Sequence, residues 1–195
     1  MKVTVERATV EPIEVISRAA GICYGRDNVS VKRVEDCFKR GHLSVFEHAS
    51  VTLRVEGISR ACMAQLTRHR LCSFCVESQR YNKYDLSGNN WFVVPPEFKT
   101  CEGEPYKEFT DHMKECAKAY TEALELAKPE DARYLLPEAT KTNLVMTCNL
   151  RELYHLFDMR RAKSAQWEIR NLADAIAGEV AKQGEEWAFL MGLWG

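Results

Sequence analysis

The most constraining feature of this chain is a run of strict alternation. From position 49 to 56, Ala49, Val51, Leu53 and Val55 interleave with Ser50, Thr52, Arg54 and Glu56. Side chains of an extended strand point to opposite faces in turn, so the apolar face must be buried against further secondary structure. Leu144, Met146 and Cys148, with Val145 and Thr147 between them, predict another strand; residues 3–10 read as a short one, and residues 91–94, ending at Pro95-Pro96, as a fourth. Elsewhere the apolar step is three or four. Phe109, Met113, Ala117, Tyr120, Leu124 and Ala127 predict a long amphipathic helix, and Ala165, Ile169, Leu172, Ala173, Ile176 and Val180 another that Gly184 ends. Glu11-Pro12 marks a helix start with Ile13, Ile16, Ala19 and Ala20 on its apolar face. Ser30 can cap a second helix, with Val34, Cys37 and Phe38 on one side and Gly41 beyond its end, and residues 58–67 read as helical. Strands and helices mix without regular alternation, which predicts an α+β fold: a mixed or antiparallel sheet with long amphipathic helices. The 195 residues fit a single domain, 1–195.

Composition removes several classes. With 46% hydrophobic and 28% charged residues the chain can build a core and is not disordered. Lys+Arg number 27 against 28 Asp+Glu, a net charge of -1, so a polycation for non-specific nucleic-acid binding is not the expectation. No stretch approaches the roughly 18 apolar residues of a membrane span. The opening MKVTVERATV carries Glu6 and Arg7 where a secretory signal needs an apolar run. A soluble, cytoplasmic protein without a nucleic-acid or membrane partner is expected. The eight cysteines, at 23, 37, 62, 72, 75, 101, 116 and 148, then read as free thiols. Cys72-x-x-Cys75 lacks the second ligand pair of a zinc site and the preceding strand of a redox motif, so no metal is expected.

The neutral total conceals two basic regions. Residues 60–84 hold Arg60, Arg68, Arg70, Arg80 and Lys83 against Glu77, a net of +4; residues 151–170 hold Arg151, Arg160, Arg161, Lys163 and Arg170 against three acids, a net of +2. Residues 101–131, with nine acids and four lysines, read as a solvated helix face. Arginine dominates both basic regions. A planar guanidinium meets phosphate or carboxylate with two parallel hydrogen bonds, which lysine cannot do. Grouped arginines near Ser, Gln, Asn and Tyr point to a pocket for a phosphorylated small molecule. No Gly-x-Gly-x-x-Gly or Gly-Lys-Ser/Thr loop is present, so side chains must hold the phosphate. Surface ion pairing of the same arginines is the plain alternative, and an Arg-rich, non-catalytic nucleotide- or RNA-binding module is another.

The segment RHRLCSFCVESQRY (68–81) resembles the signature of flavin-dependent thymidylate synthases, the thymidylate synthase-complementing family: Arg68-His69-Arg70, seven residues, then Ser78, followed by Arg80-Tyr81. The likeness continues through Gly41-His42-Leu43-Ser44 and Phe46-Glu47-His48, Gln65, Arg133-Tyr134-Leu135-Leu136-Pro137, Asn149-Leu150-Arg151, His155, Arg160 and Ala165-Gln166-Trp167-Glu168-Ile169. The resemblance implies methylation of dUMP to dTMP, with methylenetetrahydrofolate giving the carbon and NADPH the reducing equivalents through FAD. It implies a homotetramer with active sites at subunit contacts. It places Gln65, Arg68, Ser78, Gln79, Arg80, Arg133 and Arg160 around dUMP, and Ser44, Arg68, His69, Arg70, Asn149, Arg151 and His155 on FAD. His42, Glu47 and Tyr81 become supporting or folate-side groups. Cys75 and Val76 stand where polar flavin contacts are expected, Gln79 replaces a small residue, and Cys23 stands where a small hydroxyl is common.

Chemistry narrows the roles. A guanidinium does not release its proton in proteins, so Arg160 cannot act as a base; it can stabilise a pyrimidine imide anion and so activate the ring carbon. Arg160 is therefore the expected catalytic residue. Ser78 lacks an identifiable base and is read as a phosphate ligand. A buried, hydrogen-bonded structural role competes with a site role for His48 and His155, and Glu47 is a candidate for orienting a histidine.

Overall fold

A computed structural model describes residues 1–100 and 104–194, so Cys101 lies outside the described residues. Along the chain run β1 (Lys2–Ala8), α1 (Pro12–Ile22), α2 (Val31–Lys39), a 3-10 turn (Leu43–His48), β2 (Ser50–Ser59), α3 (Arg60–Leu66) and β3 (Ser73–Val76). These are followed by α4 (Pro96–Thr100), α5 (Glu104–Leu126), α6 (Pro129–Ala132), a second 3-10 turn (Arg133–Leu135), β4 (Lys141–Asn149), α7 (Leu150–Arg160), α8 (Trp167–Ala181) and α9 (Glu185–Trp194). The mixture is the expected α+β one.

The strands form one sheet in the order β1-β2-β4-β3. β1 and β2 are antiparallel, with Val3 opposite Val55 and Val5 opposite Leu53, and the register shifts between Val5 and Arg7. β4 runs antiparallel to β2: the Thr52 and Thr147 hydroxyls share a hydrogen bond of 2.9 Å, while further on Gly57 N–H donates to Asn143 Oδ1 at 3.0 Å. The alternation that predicted β2 is realised, with Val51, Leu53 and Val55 buried and Arg54 exposed.

The chain divides into two compact units. The first comprises Met1–Glu56, Gln65–Cys75 and Leu144–Gly195. In it α8 packs on β1 and between α7 and α9, and α1 packs on α2 and on the first 3-10 turn. Phe46 and Tyr154 meet Phe38 edge to face, with centroids 5.3–6.0 Å apart, an arrangement aromatic quadrupoles favour. The Tyr154 hydroxyl donates to Leu190 O at 2.9 Å, tying α7 to α9. Side chains close the helix starts: Ser30 accepts from Arg33 N–H, Asn149 from Glu152 N–H, and Gln166 from Glu168 and Ile169 N–H.

The second unit comprises Gly57–Ala64 and Val76–Asn143. The helical stepping around Met113 and Tyr120 becomes α5, whose Met113 packs with Trp91 and Phe92. Residues 91–94 form no strand. Phe92 makes a single bridge to Thr140, Val93 N–H donates to Ala139 O, and Pro95 O caps the start of α4 by accepting from Phe98 and Lys99 N–H. Two successive prolines offer no ladder donors, so the extended run ends after one bridge.

Removing the wholly buried Phe46 ring is expected to lower unfolding free energy by about 3–5 kcal/mol in Phe46→Ala. Loss of the cap in Ser30→Ala is expected to cost about 1 kcal/mol. Urea unfolding midpoints of the two variants measure both.

Candidate functional site

The Arg-His-Arg motif lies in the turn that follows α3, where Arg68 and His69 N–H donate to Gln65 and Leu66 O. The turn directs alternate side chains differently. His69 is buried at 4% exposure, while Arg68 and Arg70 face outward on either side. No carboxylate of the described residues pairs with either arginine.

His69 is held at both ring nitrogens. Nδ1 lies 3.1 Å from Glu152 Oε1, and Arg160 Nε–H donates to Nε2 at 3.0 Å. Because Arg160 can only donate, Nε2 must be the acceptor, which fixes the proton on Nδ1, where it is donated to Glu152. Burial pushes the His69 pKa below its ordinary value, and the Arg160 charge pushes the same way; the Glu152 hydrogen bond opposes them. His69 is therefore a neutral imidazole. Arg160 Nη2 donates to Gln65 O at 3.2 Å, so the guanidinium is clamped along one edge, and Nη1 makes no hydrogen bond among the described residues.

His69 and Glu152 edge a cleft of about 790 Å³ in the first unit, lined also by Leu43, Glu47, Arg68, Arg70, Leu71, Asn149, Arg151, Tyr154, His155 and Asp158; Arg160 and Gln65 are not among its lining residues. Six of the seven residues expected on a flavin line it: Arg68, His69, Arg70, Asn149, Arg151 and His155. Ser44 lies exposed on the 3-10 turn between the lining residues Leu43 and Glu47. Glu47 orients no histidine; its carboxylate accepts from Arg151 Nη1 at 2.5 Å. His155 is exposed, its ring 5.7 Å from that of His69, and His48 is exposed as well. His42 lines a different cleft, of about 800 Å³, between α1 and α2.

In the second unit, Gln79, Arg133 and Arg60 line a smaller pocket of about 260 Å³ with Tyr134, Leu136, Pro137 and Glu138. Arg133 Nε–H donates to Glu130 O, and Arg80 pairs with the Glu130 carboxylate at 3.3 Å. Ser78 Oγ accepts from Arg80 N–H at 3.2 Å, and the Arg80 guanidinium lies over the exposed Tyr81 ring at 5.3 Å. Of the residues expected around a pyrimidine nucleotide, Gln65, Arg68 and Arg160 thus belong to the first unit, and Ser78, Gln79, Arg80 and Arg133 to the second.

Glu152 was not anticipated. Among arginines it reads as one more solvated acid, yet it is 4% exposed. The available signal was its helical spacing of three from His155, which puts both on one face of α7. His69, Glu152 and His155 lie close enough together to suggest a cation site. Both nitrogens of His69 are engaged, however, and the guanidinium on Nε2 repels a cation.

The family comparison can be set beside this geometry. A family model described as thymidylate synthase complementing protein matches residues 4–184. The chain belongs to this family. A flavin-dependent thymidylate synthase from Pyrococcus furiosus is 38% identical, over 95% of this chain and 81% of its own. One from Geobacter sulfurreducens is also 38% identical, over 89% and 79%. Among solved structures, the flavin dependent thymidylate synthase ThyX from Helicobacter pylori, complexed with FAD and dUMP, superposes with a TM-score of 0.80 at 23% identity, covering 98% of each chain. Membership of the complementing-protein family accounts for the fold.

Protonating His69 would expel the Arg160 donor from Nε2 and bury a charge, so the folded state resists a proton that the unfolded chain accepts below about pH 6.5. With the folded pKa lowered, stability is full above that pH and falls as pH drops below it. Urea titrations at pH 7.5 and 5.5 are expected to show a loss that is reduced in His69→Asn.

Proposed function

We propose that this chain, as one synthase domain, converts dUMP to dTMP with FAD as its cofactor. Methylenetetrahydrofolate is the carbon donor and NADPH the reductant, and the protein works in the cytoplasm as a homotetramer whose active sites form at subunit contacts. The observation that carries the reading is the cleft lined by Arg68, His69, Arg70 and Arg151, with Arg160 clamped to His69 behind its wall, in a chain whose relatives carry that activity in their names.

The cleft suits FAD. Arg68, Arg70 and Arg151 supply guanidinium groups for a pyrophosphate, and Leu43, Leu71 and Tyr154 supply apolar surface for a flat ring. Bound there, FAD supplies the two-electron chemistry linking NADPH to the new methyl group. His155 and Asn149 add hydrogen-bonding groups at the wall, and Ser44 stands beside it.

The rest of the work falls to the protein. A pyrimidine ring carbon becomes nucleophilic when negative charge collects on the adjacent imide. Arg160 stabilises that charge through its free edge. Neutral His69 and the Gln65 carbonyl fix the guanidinium beforehand, so little reorganisation is needed as charge develops. Glu152 holds the imidazole in the tautomer that accepts from Arg160, which makes it a positioning residue. Ser78, Gln79, Arg80 and Arg133 bind the nucleotide with Arg68, Ser78 toward the phosphate. His42, Glu47 and Tyr81 support the folate side or the cleft walls, Glu47 by holding Arg151.

Purified protein is expected to be yellow, to bleach with NADPH, and to form dTMP from dUMP and methylenetetrahydrofolate. A colourless protein that takes up no flavin would overturn the reading. Arg160→Ala is expected to lower turnover about a hundredfold or more while keeping FAD; unchanged turnover would reject its activating role. Cys75→Ser, at an exposed thiol outside the cleft, is expected to remain fully active.

A further inference from the structure

We propose that the cleft between α1 and α2 binds an elongated polycarboxylate, the oligo-γ-glutamyl tail of the folate co-substrate, on a row of cations made by Arg26, Lys32, Arg33 and Arg40. The inference rests on the synthase reading and assigns that reaction a substrate-length specificity.

The cleft's charge is the first argument. Arg26, Lys32, Arg33 and Arg40 line it, and among the described residues Asp36 is the one lining carboxylate, an excess of three positive charges in a chain whose total is -1. Elsewhere cations find acids: Arg18 pairs with Glu14 and Asp27, Arg54 with Glu6, Arg151 with Glu47, and Arg161 with Asp174. None of the four cleft cations has an ion-pair partner among the described residues. Like charges gathered without acids repel one another, and an anion is what relieves the repulsion.

One of the four is fixed in place without being neutralised. Arg33 Nη1 donates to Ser17 O and to Asn28 O, at 3.1 and 2.8 Å, and Nη2 to Asn28 Oδ1 at 2.9 Å. Ser17 is wholly buried and Asn28 exposed, so the guanidinium is held between a core residue and a loop by neutral acceptors and keeps its full charge. That is the construction of a preorganised anion site rather than of a mobile surface side chain.

Shape selects among anions. Arg33 lies in the first turn of α2 and Arg40 caps its C-terminus, seven residues or two turns on, so the two stand on one side about 10 Å apart along the axis. A compact phosphate reaches one of them. A chain carrying carboxylates at intervals reaches both, with Arg26 and Lys32 beside it. The exposed Tyr24 ring forms an aromatic wall for the group that bears the chain. Of the co-substrates in the proposed reaction, the folate is the one whose anionic end is a chain of carboxylates, whereas dUMP and NADPH carry phosphates.

The test compares methylenetetrahydrofolate bearing one and five γ-linked glutamates, in wild type and in Lys32→Gln/Arg40→Gln. Wild type is expected to show a KM about tenfold lower for the pentaglutamate, and the double variant to lose that difference with kcat, the KM for dUMP and FAD content unchanged. Free penta-γ-glutamate, titrated calorimetrically, is expected to bind wild type and not the variant, weakening as salt rises. Equal KM values for the two folates in wild type, or a variant whose NADPH KM alone rises, would overturn the proposal. Protein that makes no dTMP yet binds penta-γ-glutamate through these residues would reject the synthase reading and leave the polycarboxylate site standing.

Discussion

The site depends on one hydrogen bond, from the Nδ1–H of His69 to the Glu152 carboxylate. Burying a carboxylate is costly unless its charge is compensated; here the start of α7 and the Nδ1–H of His69 compensate it. Glu152 lies in the first turn, where the helix dipole favours negative charge, and its own N–H is capped by Asn149 Oδ1 at 2.9 Å. The carboxylate in turn fixes the proton on Nδ1 and leaves Nε2 as a lone-pair acceptor. Arg160 sits in the last turn of the same helix, where positive charge is favoured. Some 12 Å of helix separates acid and guanidinium. The imidazole, contributed by a segment distant in sequence, closes that gap. A protonated His69 could not accept from Arg160, so the neutral state favoured by burial is a condition of the arrangement.

The arginines sort by partner. Arg161 lies 4.7 Å over Trp194 and pairs with Asp174, and Arg80 pairs with Glu130; exposed pairs of this sort contribute little to stability and hold the surface in register. Among the described residues Arg68 and Arg70 pair with no acid, and Arg160 is bonded to the neutral acceptors His69 Nε2 and Gln65 O. A guanidinium held by carbonyl and imidazole lone pairs keeps its charge for something else. The chain is close to electrically neutral, yet the cleft between α1 and α2 is lined by Arg26, Lys32, Arg33 and Arg40 against Asp36.

Much of this was legible from periodicity, and the misses have physical reasons. Val51, Leu53 and Val55 alternate because β2 has a buried face, and the stepping from Phe109 through Tyr120 marks α5 because that helix has a solvated side. α7 was obscured: its buried Leu150, Leu153, Tyr154, Leu156 and Phe157 do follow a helical period, but Arg151, Glu152, His155 and Arg160 drew attention as a site rather than as the polar face of a helix. α9 was hidden for the opposite reason. EEWAFLMGLW is apolar nearly all round after its first turn, so no period stands out, and Gly184 reads as an end although Trp187 and Glu186 tie the helix back to Thr9 and Ile13. β3 is four residues long, too short to show alternation. Motif spacing found Arg68, His69, Arg70 and Arg160, but no local pattern can reveal that a carboxylate 83 residues away completes His69.

The same geometry disposes of the thiol reading. A Cys-x-x-Cys pair does redox chemistry when a helix start brings positions i and i+3 together and lowers a thiol pKa. Here the pair enters an extended strand, where residues three apart point to opposite faces. Cys72 is accordingly buried and Cys75 exposed. Cys72 pairs instead with buried Cys148, whose thiol pKa is pushed up first by that hydrogen bond and then by burial, the opposite of what a nucleophilic thiolate needs. Cys72 N–H donates to His69 O at 3.1 Å, so this residue's place next to the Arg-His-Arg turn is structural: a small apolar side chain under the turn that presents His69 to Glu152 and Arg160.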